Sequence, residues 1–126
     1  MLLRRAVPAL LLDSALVLAF AAIGRATHDG DVLGRGGLGL LQTAWPFLVA
    51  LLAGWAISLA WRRPAAPIRT GLPVWAVTVV VGMALRALAG QGVAIAFVIV
   101  ATCTLLVLLV GWRAVAAGVH RARAAR

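Results

Sequence analysis

The chain of 126 residues has no Lys, no Glu and no Tyr, a single Cys, and only three acidic residues, Asp13, Asp29 and Asp31. One Cys cannot close an intrachain disulfide, so a disulfide-stapled secreted domain is excluded. Charged residues make up 12% of the chain, where a water-soluble domain carries about 25%. That shortage excludes a disordered polyelectrolyte and an ordinary soluble enzyme. The usual catalytic signatures are missing too. There is no HExxH, no paired-Cys site and no Ser/His/Asp arrangement, and Gly34-Arg35-Gly36-Gly37-Leu38-Gly39 lacks the Lys-Ser/Thr ending of a phosphate loop. No enzyme activity and no cofactor are expected.

What is present is oil and arginine. Hydrophobic residues form 64% of the chain, the mean hydropathy is +1.07, and twelve Arg against three Asp give a formal charge of +9. A bilayer core about 30 Å thick needs about 20 apolar residues in helix. Four stretches fit: residues 6–23, 38–61, 72–90 and 93–112, followed by a basic tail at 113–126. Pro64 and Pro67 punctuate the second connection, and Gly90-Gln91-Gly92 reads as a tight turn joining the last two helices. Pro46 is expected to kink the second span near Gln42. Arg4 and Arg5 followed by an apolar run, with Ala19-Phe20-Ala21 behind, have the outline of a signal peptide. Asp13 interrupts that run, so a retained first span is expected. The fold class is an all-α integral membrane bundle of four antiparallel helices in one domain.

Nine Arg (4, 5, 62, 63, 69, 113, 121, 123 and 126) fall on one side of this arrangement and three (25, 35 and 86) on the other. The positive-inside rule puts both termini in the cytoplasm, at the cell membrane. Scattered over short flanks, these Arg suit anionic lipid headgroups and not nucleic acid. Trp45, Trp61, Trp75 and Trp112 fall near span ends and read as interfacial anchors, whereas Trp55 lies about two turns inside.

Asp13 is the sharpest feature. An acid inside a span costs about 2.5–3.5 kcal/mol on insertion scales and usually faces a bundle interior or watery cavity. It is either a proton-exchanging carboxyl, or a structural group that hydrates or pairs with Arg4, Arg5 or another Arg of the same flank. Depth counting puts Trp55, Thr78 and Thr104 near its level, as a polar layer or as inter-helix glue. Arg86 lies about 20 Å along the third span. It either snorkels outward or faces inward, to bind an anion or to pair with Asp13, on a Thr78–Gly82–Arg86 stripe that lines a narrow path. Ala50, Gly54 and Ser58 form a small-residue stripe for close packing, within the bundle or across a homodimer or partner interface. In the first connection, His28, Asp29 and Asp31 lack a known metal-ligand spacing, so no metal is expected there, and Arg25 is placed to pair with Asp29. Cys103 reads as a small packing residue.

Several short motifs recur in order: the early Asp13; Phe20-Ala21-Ala22-Ile23-Gly24-Arg25 with His28; Thr43-Ala44-Trp45-Pro46-Phe47; Gly82-Met83-Ala84-Leu85-Arg86; Gly90-Gln91-Gly92; and Gly111-Trp112-Arg113. In these the chain resembles a domain-of-unknown-function family of small four-span prokaryotic membrane proteins. The resemblance implies a four-helix membrane domain and no particular activity. The expected function is a small proton-linked transporter or channel subunit, the alternative a non-catalytic membrane subunit or assembly factor packed against a partner.

Overall fold

The computed structural model describes residues 2–28, 33 and 37–126. Four helices account for nearly all of them: α1 (Leu2–His28), α2 (Leu38–Ser58), α3 (Pro67–Leu88) and α4 (Ile95–Ala124). No strand occurs among the described residues. All four helices are long and apolar enough to cross a membrane. The chain runs up α1, down α2, up α3 and down α4, so both termini lie at one end. The tight Ala89–Ala94 turn lies at the other, called here the hairpin end.

The helix ends follow local chemistry. α2 stops where Leu59 turns left-handed (φ 53°) and returns its N–H to Trp55 and Ala56 carbonyls. A 3-10 turn, Ala60–Arg62, follows where the sequence suggested continuing helix. α3 opens five residues earlier than expected, on a π turn (Pro67–Gly71) with Pro67 in its first turn, where a missing N–H costs little. α4 differs most. The basic tail continues the last span: Gly111 and Gly118 do not stop the helix, which runs to Ala124 through a second π turn, Leu106–Val110.

The π turns explain a spacing. Ala101, Leu105, Leu109 and Arg113 are each four residues apart, and all are fully buried. At 3.6 residues per turn, such a stripe drifts about 40° per step. A π turn holds more residues per turn and takes up part of that drift. Thr70, Val74, Thr78 and Gly82 repeat the pattern on α3, beginning inside its own π turn.

α2 and α3 form the tightest pair. A methyl on Gly54 would lie 3.1 Å from the Val74 carbonyl oxygen, and one on Gly82 would lie 2.5 Å from the Phe47 ring. The Ala50–Gly54–Ser58 stripe packs inside the bundle at Ala50 and Gly54. Ala50 is fully buried, and the Ser58 hydroxyl donates to the Gly54 carbonyl (2.7 Å). The Thr78–Gly82–Arg86 stripe lines no path at Gly82, because Phe47 fills that space. Phe20 meets Phe47 edge-on at 5.3 Å between centroids, and Phe97 lies 6.2 Å from each. Cys103, expected to pack inside, is exposed on α4. Gly82→Ala should drive its methyl into the Phe47 ring and cost about 1–3 kcal/mol, read as a lower unfolding midpoint in detergent.

Candidate functional site

Asp13 sits midway along α1, on the face that also buries Ala9 and Val17, and is fully buried. Four donors converge on its carboxylate. Oδ1 accepts from Trp112 Nε1 (2.8 Å) and Arg113 Nη1 (2.9 Å). Oδ2 accepts from Trp55 Nε1 (2.8 Å) and Arg113 Nη2 (2.6 Å). The Arg113 fork is thus bidentate, the strongest carboxylate–guanidinium arrangement. Arg113 is itself fully buried and spends two further donors on backbone: Nε to the Pro64 carbonyl (2.7 Å) and Nη1 to the Leu109 carbonyl (2.8 Å). Its stem passes Gly71, where an added methyl would lie 3.1 Å from Cδ. One carboxylate thereby ties α1 to α2, to α4 and, through Arg113, to the connection before α3.

This geometry decides what the group can do. A carboxylate has about four lone-pair sites, and all four are filled. The cluster acts as a neutral, saturated clasp. Among the described residues, no other pair of side chains forms an ion pair.

Of the sequence candidates, Trp55 joins Asp13 directly. Thr78 is buried, but its hydroxyl has no hydrogen-bond partner and does not reach the acid. Thr104 lines a cavity nearer the hairpin end. Trp112 and Trp75, both half-buried, turn their indole N–H groups inward: Trp112 donates to Asp13, and Trp75 donates to the Thr102 carbonyl (2.9 Å). Asp29, Asp31 and the side chain of His28 lie outside the described residues. Arg25 Nη1 donates to the Thr43 hydroxyl (3.3 Å).

Sequence reasoning did not single out Arg113. It counted as one flank charge among nine, although an acid within a span calls for a counter-ion. Two long antiparallel helices supply it: Asp13 lies about 22 Å from the hairpin-end terminus of α1, and Arg113 about 27 Å from that of α4.

At the hairpin end, Arg86 is held, not free to snorkel. Nε and Nη2 donate to the Gly92 carbonyl (3.1 and 2.8 Å), Nη1 donates to Gln91 Oε1 (3.0 Å), and the guanidinium lies 4.1 Å from the Phe97 ring centroid. Gln91 Nε2 in turn donates to the Gln42 carbonyl (3.0 Å). That carbonyl lies four residues before Pro46, which has no N–H to give it. α2 continues as helix through the expected kink site, with Gln91 supplying the missing donor.

Below Arg86 and Arg25 a cavity of about 540 Å³ opens between α1 and α4, floored by Phe20 and Phe97. Val100 and Ile23 on its rim are each 58% exposed, so it opens sideways.

The family described as "Protein of unknown function (DUF3054)" matches residues 10–116. The chain belongs to this family. No curated protein and no solved structure matches it. The matched stretch contains Asp13, Trp55, Trp112 and Arg113, and also Gln42, Pro46, Arg86 and Gln91.

Two predictions follow from these contacts. Asp13→Asn and Arg113→Gln should each cost about 3–5 kcal/mol of stability, because each strands a buried charge. Asp13→Leu with Arg113→Met together should cost less than the sum of the losses from Asp13→Leu alone and Arg113→Met alone, in a double-mutant cycle read by thermal unfolding. Gln91→Ala should cost about 1 kcal/mol in the parent chain and clearly less in a Pro46→Ala background, where a backbone N–H again serves the Gln42 carbonyl. Equal costs in both backgrounds would remove Gln91 from that role.

Proposed function

We propose that the chain is a multi-pass protein of the cell membrane, termini cytoplasmic, that binds a small anionic and largely apolar solute in the lateral cavity, as a carrier or channel subunit. The carrying observation is the cavity itself. Two guanidiniums, Arg25 and Arg86, stand at its head, and phenyl and aliphatic groups form its body. Arg86 has three of its five N–H donors engaged, all by neutral acceptors. A carboxylate or sulfonate placed there would meet positive charge in a half-buried, weakly screened setting. An alkyl chain would lie on Phe20, Phe97 and Val100.

The saturated carboxylate of Asp13 supports a structural role for that residue, so coupling to protons through it forms no part of this reading. The alternative, a subunit that docks on a partner through the small-residue stripe of α2, draws little support from a stripe already packed against α3.

The test uses the full chain in neutral detergent with a medium-chain alkyl sulfonate as probe. Wild type should bind it saturably. Arg86→Gln should weaken binding about tenfold, equivalent to about 1.4 kcal/mol. Val100→Trp should also weaken binding, by filling the rim while leaving the Arg86–Gln91 network intact. No saturable binding, or binding indifferent to both changes, refutes the proposal.

A further inference from the structure

The opposite end of the bundle carries a second hollow, independent of the lateral cavity. It has a volume of about 960 Å³ and lies between the start of α1 and the connection from α2 to α3. Arg4 and Arg5 stand on one side and Arg62 and Arg63 on the other, all four exposed. Among the described residues, no acidic one lines it. The acid beneath, Asp13, is fully engaged by its own four donors, so it does not offset these charges. Trp61 and Trp112 form side walls, and Pro8, Ala9 and Leu12 an apolar floor. Outside the cleft, Leu3, Val7 and Leu11 continue an exposed apolar face along α1 (75%, 50% and 65% exposed).

We infer that this cleft is a binding site for the phosphodiester headgroup of an anionic phospholipid. Charge complementarity selects the anion: four arginines line the opening, and guanidinium matches phosphate oxygens in paired, planar contact. The apolar floor and the flank of α1 select a lipid over a free anion, because acyl chains leaving the cleft would run along Leu3, Val7 and Leu11. Trp61, partly exposed at the rim, sits where indoles commonly meet the headgroup boundary. Basic pockets between transmembrane helices are a recurrent form of such sites.

The site touches the clasp at two points. Trp112, a wall of the cleft, donates to Asp13, and Pro64, in its lining, gives its carbonyl to Arg113. A lipid bridging Arg4 and Arg5 to Arg62 and Arg63 therefore joins two elements that the clasp already joins, and stabilises the folded bundle.

The experiment titrates purified full-length protein in neutral detergent with short-chain phosphatidylglycerol, short-chain phosphatidylcholine and glycerol phosphate. Unfolding midpoint and tryptophan fluorescence are the readouts. Phosphatidylglycerol should raise the midpoint and perturb the fluorescence saturably, and the other two should do so weakly or not at all. Arg4→Gln with Arg5→Gln, and separately Arg62→Gln with Arg63→Gln, should each weaken the response about 30-fold, at about 1 kcal/mol per Arg. These side chains are exposed, so the variants keep the fold. Arg121→Gln with Arg123→Gln removes the same charge from the same end but outside the cleft, and should change affinity less than threefold. An equal loss in that control makes the attraction diffuse and overturns the site. An equal response to glycerol phosphate overturns the lipid as its occupant. Arg86→Gln should leave the response unchanged, so failure here and failure of the lateral cavity are separate results.

Discussion

The bundle is organised around a charge that cannot be left alone. A carboxylate midway along an apolar helix is tolerated only if it meets charge and donors from its neighbours. Asp13 meets them from α2 and α4, and Arg113 carries the connection onward to the Pro64 carbonyl. Apolar helices slide and rotate against each other at little cost, because lipid and neighbouring helix are equally oily. A bidentate ion pair with two indole donors permits one rotation and one height. It sets register for three helices at once, and the glycines at 54, 71 and 82 then let backbone and large side chains approach closely enough to keep it.

The clasp also explains the shape of the rest. It draws α1 and α4 together on the half of the bundle nearer the termini. Toward the hairpin end, among the described residues, no side-chain ion pair joins α1 to α4, and there the lateral cavity opens. Order at that end comes from a lighter device. Arg86 holds Gln91, and Gln91 serves the carbonyl that Pro46 leaves without a donor, so the turn between α3 and α4 is pinned to α2. A bundle fixed at one end and hinged on side-chain hydrogen bonds at the other has its room for a ligand where its polar constraints are weakest.

How far the sequence revealed this depended on contrast. The four spans, the α3–α4 turn and the anomaly of Asp13 were visible because charge, Pro and Gly stand out against an apolar background. The facing of each helix was not, because chains of Leu, Val and Ala on all sides show no polar stripe. Arg113 was obscured for the same reason. It follows twenty uncharged residues and precedes a basic tail, so it read as the first residue outside the membrane, when in fact α4 continues past it. Trp112 and Trp75 turn their N–H groups inward, which position along a span alone does not tell. The role of Gln91 depended on pairing a missing N–H at Pro46 with a donor 45 residues away, a link that only the packed turn makes.

The clasp bears on orientation as well. Arg113 is buried and neutralised by Asp13, so it does not belong in a count of flanking charges. Removing it leaves eight Arg beside the end with the termini, against Arg25 and Arg86 toward the other and Arg35, which falls in sequence with Asp29 and Asp31 in the first connection. The bias that argues for cytoplasmic termini is therefore smaller than composition suggests, but it keeps its sign. Arg69 apart, those eight also divide by position: four converge on one cleft and three, at 121, 123 and 126, trail along the end of α4. An even scatter of arginine would satisfy topology equally well, so the convergence of four at one opening calls for a reason of its own, and a phosphate-bearing ligand supplies one.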